Sequence, residues 1–333
     1  MGRFLMASPT DGPKGTTDKT MQKALLIYNP FSGFRRHRRV HQVEAAADEL
    51  RRSGIETKIL PSPGPAKAGA QAKEAIEAGY DTIFACGGDG TIHDVLQGMV
   101  GHTQAALGIV PLGTANALAA DLEIPHDPIR AIQRQLEYRP QTIAAGMIEH
   151  CNDHPPKRHR YFTVMAGVGP DALLVYSLSA AAKARWGVAA YVANSFWEYI
   201  TYRHSPYEMT VTLMDGSQEQ ITTAQVMAVR IHNFGGPLKE FARGADLTRN
   251  DLRVIVFRGG VRLSYPAYLL SALFGLKARI PGVELLDARE IVCRAIAGHK
   301  DRRVYAEADG ECLWRLPVRI SIRPGAFNLL MPR

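Results

Sequence analysis

Three short segments of this 333-residue chain combine residue types able to handle a phosphate and a proton. Gly87-Gly88-Asp89-Gly90-Thr91 and Pro111-Leu112-Gly113-Thr114-Ala115-Asn116 are rich in small residues, and each follows a short apolar run. Glycine lets a backbone approach an anion closely, and a helix N-terminus beyond it adds N–H groups and partial positive charge. Thr91, Thr114 and Asn116 supply hydroxyl and amide groups that can bond a phosphate or a sugar. Asp89 would repel a bare phosphate; among these glycines it fits beside Mg²⁺, or as the group that orients a reacting hydroxyl. The third segment, Asp309-Gly310-Glu311, lies far along the chain, so Glu311 acts with Asp89 only if the fold brings them together. Taken alone, Asp309-Gly310 reads as a hairpin turn with Glu311 in solvent.

Other phosphate machinery is missing. There is no GxxxxGK[ST] loop, no GxGxxG fingerprint and no HRD or DFG set. His37 and His41 are spaced i, i+4 without an HExxH motif and read as helix-surface residues. Cys86, Cys151, Cys293 and Cys312 form no CxxC, which argues against a zinc ribbon and fits a reducing compartment.

The elements that must position these groups alternate in the first half. Ala24–Tyr28 is a buried strand, Val40 to Leu50 a helix stripe ended by Gly54, and Ile55 to Ile59 a strand ended by Pro61. A helix over Ala66–Ala78, a strand at Thr82–Ala85, a helix at Ile92–Met99 and a strand at Ala106–Val110 follow. This alternation predicts a parallel sheet covered by helices on both faces, with the glycine loops at its carboxyl end. Beyond about residue 140, two-residue periodicity takes over: Tyr161–Val164, Met209–Leu213, Gln225–Val229, Arg253–Phe257, Glu290–Cys293 and Val318–Ile322. That half predicts an antiparallel sandwich or barrel, interrupted by a helix around Val188–Tyr202.

The formal net charge is +8, and residues 1–40 carry six of those charges. The first 20 residues have no apolar run, which excludes a secretory signal there and reads as a disordered tail. The apolar stretch Leu263–Leu276 is too short to span a bilayer, which takes about 20 residues; it reads as a buried helix, or a helix near a lipid-facing mouth. Basic charge suggests nucleic acid or an anionic membrane, but no aromatic-basic module for nucleic acid is visible. The run Phe34–Arg39 follows Asn29–Gly33 directly, and reads as an attractor for phosphates or membrane, or as a solvated helix start.

Asn29-Pro-Phe-Ser-Gly33, the two glycine loops and Asp309-Gly-Glu311 occur in this order together with Ala166–Ala172 and Pro324–Phe327. The series resembles the diacylglycerol kinase catalytic-domain family, which includes bacterial soluble lipid kinases, sphingosine kinases and ceramide kinases. The resemblance runs from about Lys23 to Pro332. It implies an N-terminal doubly wound α/β domain, a C-terminal antiparallel β-sandwich and an active site in the cleft between them. It divides the chain at about residues 20, 140 and 323, with 324–333 returning to the first domain. It implies ATP and Mg²⁺ as cofactors, Asp89 and Glu311 as catalytic, and Asn29, Ser32, Gly33, Gly87, Gly88, Gly90, Thr91, Gly113, Thr114, Asn116 and Asp309 as nucleotide-binding. Glu311 would accept the proton of a lipid hydroxyl, Asp309 would help hold Mg²⁺-nucleotide, and Asp171 would face the acceptor. The expected location is cytoplasmic, peripheral to the inner membrane face, with a homodimer left open. Another kinase of the NAD-kinase-like superfamily and a non-catalytic nucleotide- or lipid-binding protein are the alternatives.

Two departures stand out. Many bacterial relatives carry Asp after the Asn of the second glycine loop, and here the residue is Ala117, as in the sphingosine-kinase version. The acidic, metal-binding turn of some relatives reads Arg249-Asn250-Asp251-Leu252-Arg253 here. No metal is expected at that turn, which reads as a plain surface turn; the alternative is an arginine acting as a built-in cation.

Overall fold

The computed structural model describes residues 21–30, 36–64, 67–152, 158–170, 205–235, 238, 241–258, 261–276, 279–297 and 304–333. For residues 36, 37, 261, 262, 269 and 273 only the backbone is described. The expectations for Ser32, Gly33, Asp171 and the 188–202 helix lie outside the described residues.

Strands β1 (Lys23–Tyr28), β2 (Glu56–Pro61), β3 (Thr82–Gly87) and β4 (Ala106–Pro111) pair in parallel in the order β2-β1-β3-β4. β3 and β4 are buried at every position, as strands covered on both faces must be. The chain passes from β1 out to β2 and then back across β1 to β3. Right-handed crossovers therefore send α1 (Arg36–Arg52) and α2 (Lys67–Glu77) to opposite faces. α3 (Asp89–Met99) lies beside α2, and α5 (Pro128–Leu136) beside α1, after the short α4 (Ala117–Asp121). The reversal leaves a crevice at the carboxyl ends of β1 and β3, the usual ligand position in such sheets. The expected helix at Ile92–Met99 begins three residues earlier, so Asp89 is its first residue rather than part of a loop.

The second half contains β5 (Arg139–His150), β6 (His159–Phe162), β7 (Met165–Val168), β8 (Tyr207–Leu213), β9 (Gln218–Thr223), β10 (Gln225–Val229) and β11 (Leu252–Phe257). A helix, α6 (Val261–Leu273), precedes β12 (Val283–Ala295), β13 (Tyr305–Ala308), β14 (Glu311–Arg315) and β15 (Val318–Met331). β12 turns between two layers: its first half pairs with β11, its second with β8 and β15, and a bulge lies at Ala288/Glu290.

Both halves share one hydrogen-bonded sheet. β5 and β15 run antiparallel along their lengths. After the irregularity between Arg323 and Phe327, β15 meets β4 in parallel at Asn328 and Leu329. Beyond that contact the Gln135 side chain of α5 takes over, accepting from Ile109 N at 2.8 Å and donating to Ile109 O at 2.6 Å.

Residues 249–253 are not the plain surface turn expected. The Arg249 guanidinium binds both oxygens of Asp251 and reaches Asp287 Oδ2 at 3.1 Å, while Arg253 reaches Asp287 Oδ1 at 2.7 Å. Beneath them Arg230 is buried, 1% exposed. It donates to the carbonyls of Arg249 and Asp251, both at 2.7 Å, of Leu247 at 2.7 Å and of Ala144 at 3.1 Å. Arg249 and Arg253 thus occupy the turn as fixed cations paired with Asp251 and with Asp287 of β12, while Arg230 ties its carbonyls to β5.

Candidate active site

The two glycine loops touch through their backbones. A Cβ built on Gly113 would fall 2.4 Å from Gly88 Cα, and one on Gly88 would fall 3.1 Å from Gly113 Cα. Glycine at both positions is thus a packing requirement. Leu112 N donates to Gly87 O at 2.9 Å, which continues the β3–β4 ladder into the loops. Asn116 closes the second loop on itself: its Oδ1 accepts from Gly113 N at 2.9 Å, and its Nδ2 donates to Gly113 O at 3.0 Å. It is buried at φ 51°, a left-handed conformation that asparagine tolerates better than most residues. Asn116 therefore shapes the loop, while Thr114 stays exposed at its tip. Thr91 is also buried, and it packs so closely on Gly87 that a Cβ there would lie 2.2 Å from its Oγ1.

Arg39, from the basic run, is neither solvated nor aimed at a ligand. It is buried and donates from Nη2 to Leu112 O at 2.9 Å, so α1 supports the second glycine loop from below. Asn29 follows β1, whose Tyr28 is in register with Cys86 of β3, so it stands level with Gly87 at the crevice.

Asp89 opens α3 behind the extended cap residue Gly88, which makes no side-chain cap. Its Oδ1 accepts from Leu118 N of α4 at 3.4 Å. Burial, and then the negative charge of Asp309, raise its pKa above the ordinary 3.8, while backbone N–H groups of Leu118, Ala117 and Asp89 pull the other way. The turn between β13 and β14 has positive φ at both Asp309 (49°) and Gly310 (81°), as a two-residue hairpin turn requires. It is a hairpin turn, and it also brings Glu311 to the cleft. A Cβ on Gly90 would lie 3.2 Å from Glu311 Oε1, so this carboxylate faces the start of α3 beside Asp89.

Asp309 itself is turned inward. Its carboxylate accepts from Thr163 N at 3.0 Å, Val164 N at 2.9 Å and Met165 N at 3.2 Å, and lies 3.4 Å from His93 Nδ1. Both side chains are buried. Asp309 thus positions the β13–β14 turn against the corner between β6 and β7. Its three bonds also explain why the expected strand Tyr161–Val164 ends at Phe162 and a separate strand, β7, starts at Met165.

His93 and Gln97 escaped the sequence reading. Gln97 donates to Tyr161 O at 2.9 Å and accepts from Tyr161 N at 3.0 Å. Asp89, His93 and Gln97 recur every four residues on one face of α3, and His93 and Gln97 bond the second half of the chain. That polar stripe was the available signal. On the other side Asp121 of α4 accepts from His232 N at 3.2 Å and Asn233 N at 2.9 Å. A broad depression of about 790 Å³, lined in part by Met214, Arg289 and Arg319, holds none of these groups.

Two glycine loops in backbone contact, an acid at a helix start and a second acid facing it from the other half of the chain stand together in a chain whose relatives are kinases. The chain belongs to the diacylglycerol kinase family: residues 23–148 match the diacylglycerol kinase catalytic domain, and residues 163–331 match the YegS C-terminal NAD kinase beta sandwich-like domain. It is 26% identical over 264 residues to the "Probable lipid kinase YegS-like" protein of Chromohalobacter salexigens, covering 78% of this chain and 79% of that one. It is 28% identical over 176 residues to a diacylglycerol kinase of Staphylococcus aureus, but spans only 52% of that protein and 53% of its own length. In fold, it superposes on a diacylglycerol kinase from Bacillus anthracis with a TM-score of 0.70 at 20% identity, covering 94% of this chain and 98% of that one. Yeast NADH kinase shares the fold more distantly, with a TM-score of 0.52 at 12% identity, covering 95% and 84%.

Proposed function

We propose that this protein is an ATP-dependent lipid kinase that transfers the γ-phosphate to a hydroxyl of a membrane lipid of the diacylglycerol or sphingoid type. The observation that carries the reading is Glu311 facing Gly90, which sets a carboxylate from the second half of the chain against the helix start that bears Asp89. The Gly88–Gly113 contact and the first N–H groups of α3 offer a backbone surface for phosphate oxygens. Thr114 lies exposed at the mouth of that surface for a polar contact.

Among the described residues no three His, Cys, Asp or Glu side chains stand together as a cation cage, and Asp309 is committed to backbone. Asp89 is then the residue that would hold Mg²⁺, an ion that commonly takes one or two carboxylates and completes its shell with water and substrate phosphates. When bound, Mg²⁺ supplies neutralisation of phosphate charge. Glu311 holds the acceptor hydroxyl and takes its proton as the lipid oxygen bonds to the γ-phosphorus and the β–γ bridging bond breaks, releasing ADP. Phosphoryl transfer depends mainly on position and charge, which suits a site whose acids are fixed by Leu118 on one side and the Asp309 turn on the other.

The deciding experiment is incorporation of labelled phosphate from ATP into a total lipid extract, with mass spectrometry of the product. A phosphorylated lipid is expected. Phosphorylation of NAD with no lipid product overturns the lipid assignment, and ATP binding with no transfer to either overturns the enzymatic one.

A further inference from the structure

α6 is apolar on two opposite sides. Its inner side packs on the sheet: Tyr265 and Tyr268 meet Phe257 at 5.4 and 5.8 Å between ring centroids, and Tyr268 meets Phe241 at 5.6 Å. Ala272 is buried with them, and the Tyr268 hydroxyl donates to Phe241 O. The helix is therefore anchored. Its outer side is also apolar: Leu263 is 82% exposed, Leu270 53% and Phe274 74%. At about 100° per residue these three fall within about 40° of one another, on a single stripe. Phe274 belongs to it because its N–H still bonds Leu270 O, at 3.0 Å. The helix then closes on Gly275 at φ 62°, with Leu276 N bonded to Ser271 O and the Leu276 side chain 56% exposed.

A water-facing helix side normally carries charge, and a contiguous apolar stripe marks a contact surface. The charge around it selects the contact. From residue 258 to residue 283 the chain has four basic residues, Arg258, Arg262, Lys277 and Arg279, and no Asp or Glu. Arg258 is bound by Glu219 and Glu284, and Arg279 is exposed. An apolar stripe flanked by net positive charge complements an anionic bilayer surface, with leucine and phenylalanine entering the acyl boundary and the basic groups facing lipid phosphates. A helix of 13 residues lies on such a surface and does not cross it.

We infer that α6 is the membrane-docking element of this protein, seating Leu263, Leu270, Phe274 and Leu276 in an anionic lipid surface. Its inner side connects it to the catalytic loops. Phe241 meets Phe234 at 5.1 Å between centroids, the neighbouring Asn233 donates to Ala120 O at 3.0 Å, and α4 in turn holds Asp89 through Leu118. The inference rests on the lipid-kinase reading for its purpose but not for its readout.

The test is flotation of the full chain, without ATP, on vesicles of phosphatidylcholine mixed with phosphatidylglycerol and on phosphatidylcholine alone. Binding is expected on the anionic vesicles, weakened by salt. The L263S/L270S/F274S variant should bind at least about tenfold more weakly, even if each side chain contributes under half of its full-burial value. Leu263→Ser alone, at the most exposed position, gives a second variant if the triple one misfolds. Equal flotation of variant and wild type, or loss of a dimer in the variant by light scattering, overturns the docking assignment; in the second case the stripe covers another copy of the chain. Lipid phosphorylation in detergent micelles, run in parallel, separates the two readings. Phosphorylation without vesicle binding defeats docking alone, and vesicle binding without phosphorylation defeats the kinase reading alone.

Discussion

His93 Nδ1 lies 3.4 Å from Asp309 Oδ2, a buried contact joining the helix that starts with Asp89 to the turn that delivers Glu311. The two acids of the site are therefore set by one joint. Asp309 reinforces it by accepting from three successive backbone N–H groups at the β6–β7 corner.

Asp309→Asn keeps the shape but replaces one acceptor oxygen with a donor that faces backbone N–H. Loss of at least one charged hydrogen bond, with a buried donor left unmet, costs about 2–4 kcal/mol. A lower unfolding midpoint in urea is expected, with activity falling in parallel as Glu311 shifts. A variant as stable as the parent would remove Asp309 from this role.

Asp89→Asn should lower kcat/KM for phosphotransfer by about a hundredfold to a thousandfold, the scale of losing one fixed electrostatic group in a site. Its effect on stability should have the opposite sign. The folded pKa of Asp89 lies above its ordinary 3.8, so the folded state binds the proton more tightly and stability is lost as pH rises through that window. The variant should melt higher than the parent at neutral pH, and the difference should vanish on acidification towards 3.8. Thermal scans across pH check this.

Glu311→Gln retains size and hydrogen bonding but cannot take a proton. We expect kcat to fall by about a hundredfold or more, the usual contribution of a general base, with ATP affinity unchanged. Nucleotide titration beside steady-state kinetics separates the two quantities.

Gly113→Ala introduces a methyl 2.4 Å from Gly88 Cα, where no flexible side chain can give way. The loops must part. ATP affinity should drop at least about tenfold, as expected when a phosphate-binding backbone is displaced, while the fold persists by circular dichroism.

Arg230→Met fills part of the space but leaves four carbonyls without their guanidinium. Burial lowers the Arg230 pKa to about 10 against the opposing charges of Asp251 and Asp246, so it is still a cation at neutral pH. Destabilisation of about 3 kcal/mol or more is expected, since each buried acceptor left unmet costs about 1–3 kcal/mol. ATP affinity at low temperature should persist.

The local features were legible because local rules produce them. Apolar runs ending in glycine mark β3 and β4, and the Asp309-Gly310 pair writes its own turn. β5, β7, β9, β13 and β14 were missed. Arg139–His150 mixes polar and apolar residues without clean alternation, because its two ends pair with two parts of β15 in different surroundings.

The order of motifs in the sequence determined the fold class, the crevice and the identity of Asp89 and Glu311 as the acids to test. It could not assign side chains whose use depends on distant backbone. Only the tertiary structure turned Asp309 inward onto Thr163–Met165, buried Arg39 under Leu112 and bound Arg249 to Asp251 and Asp287. Only it showed that Leu263–Leu276 buries one side and exposes the other. The physical reason is the same in each case. A side chain's type limits which bonds it can make, but the desolvation and partners that choose among them come from elements far away in the chain.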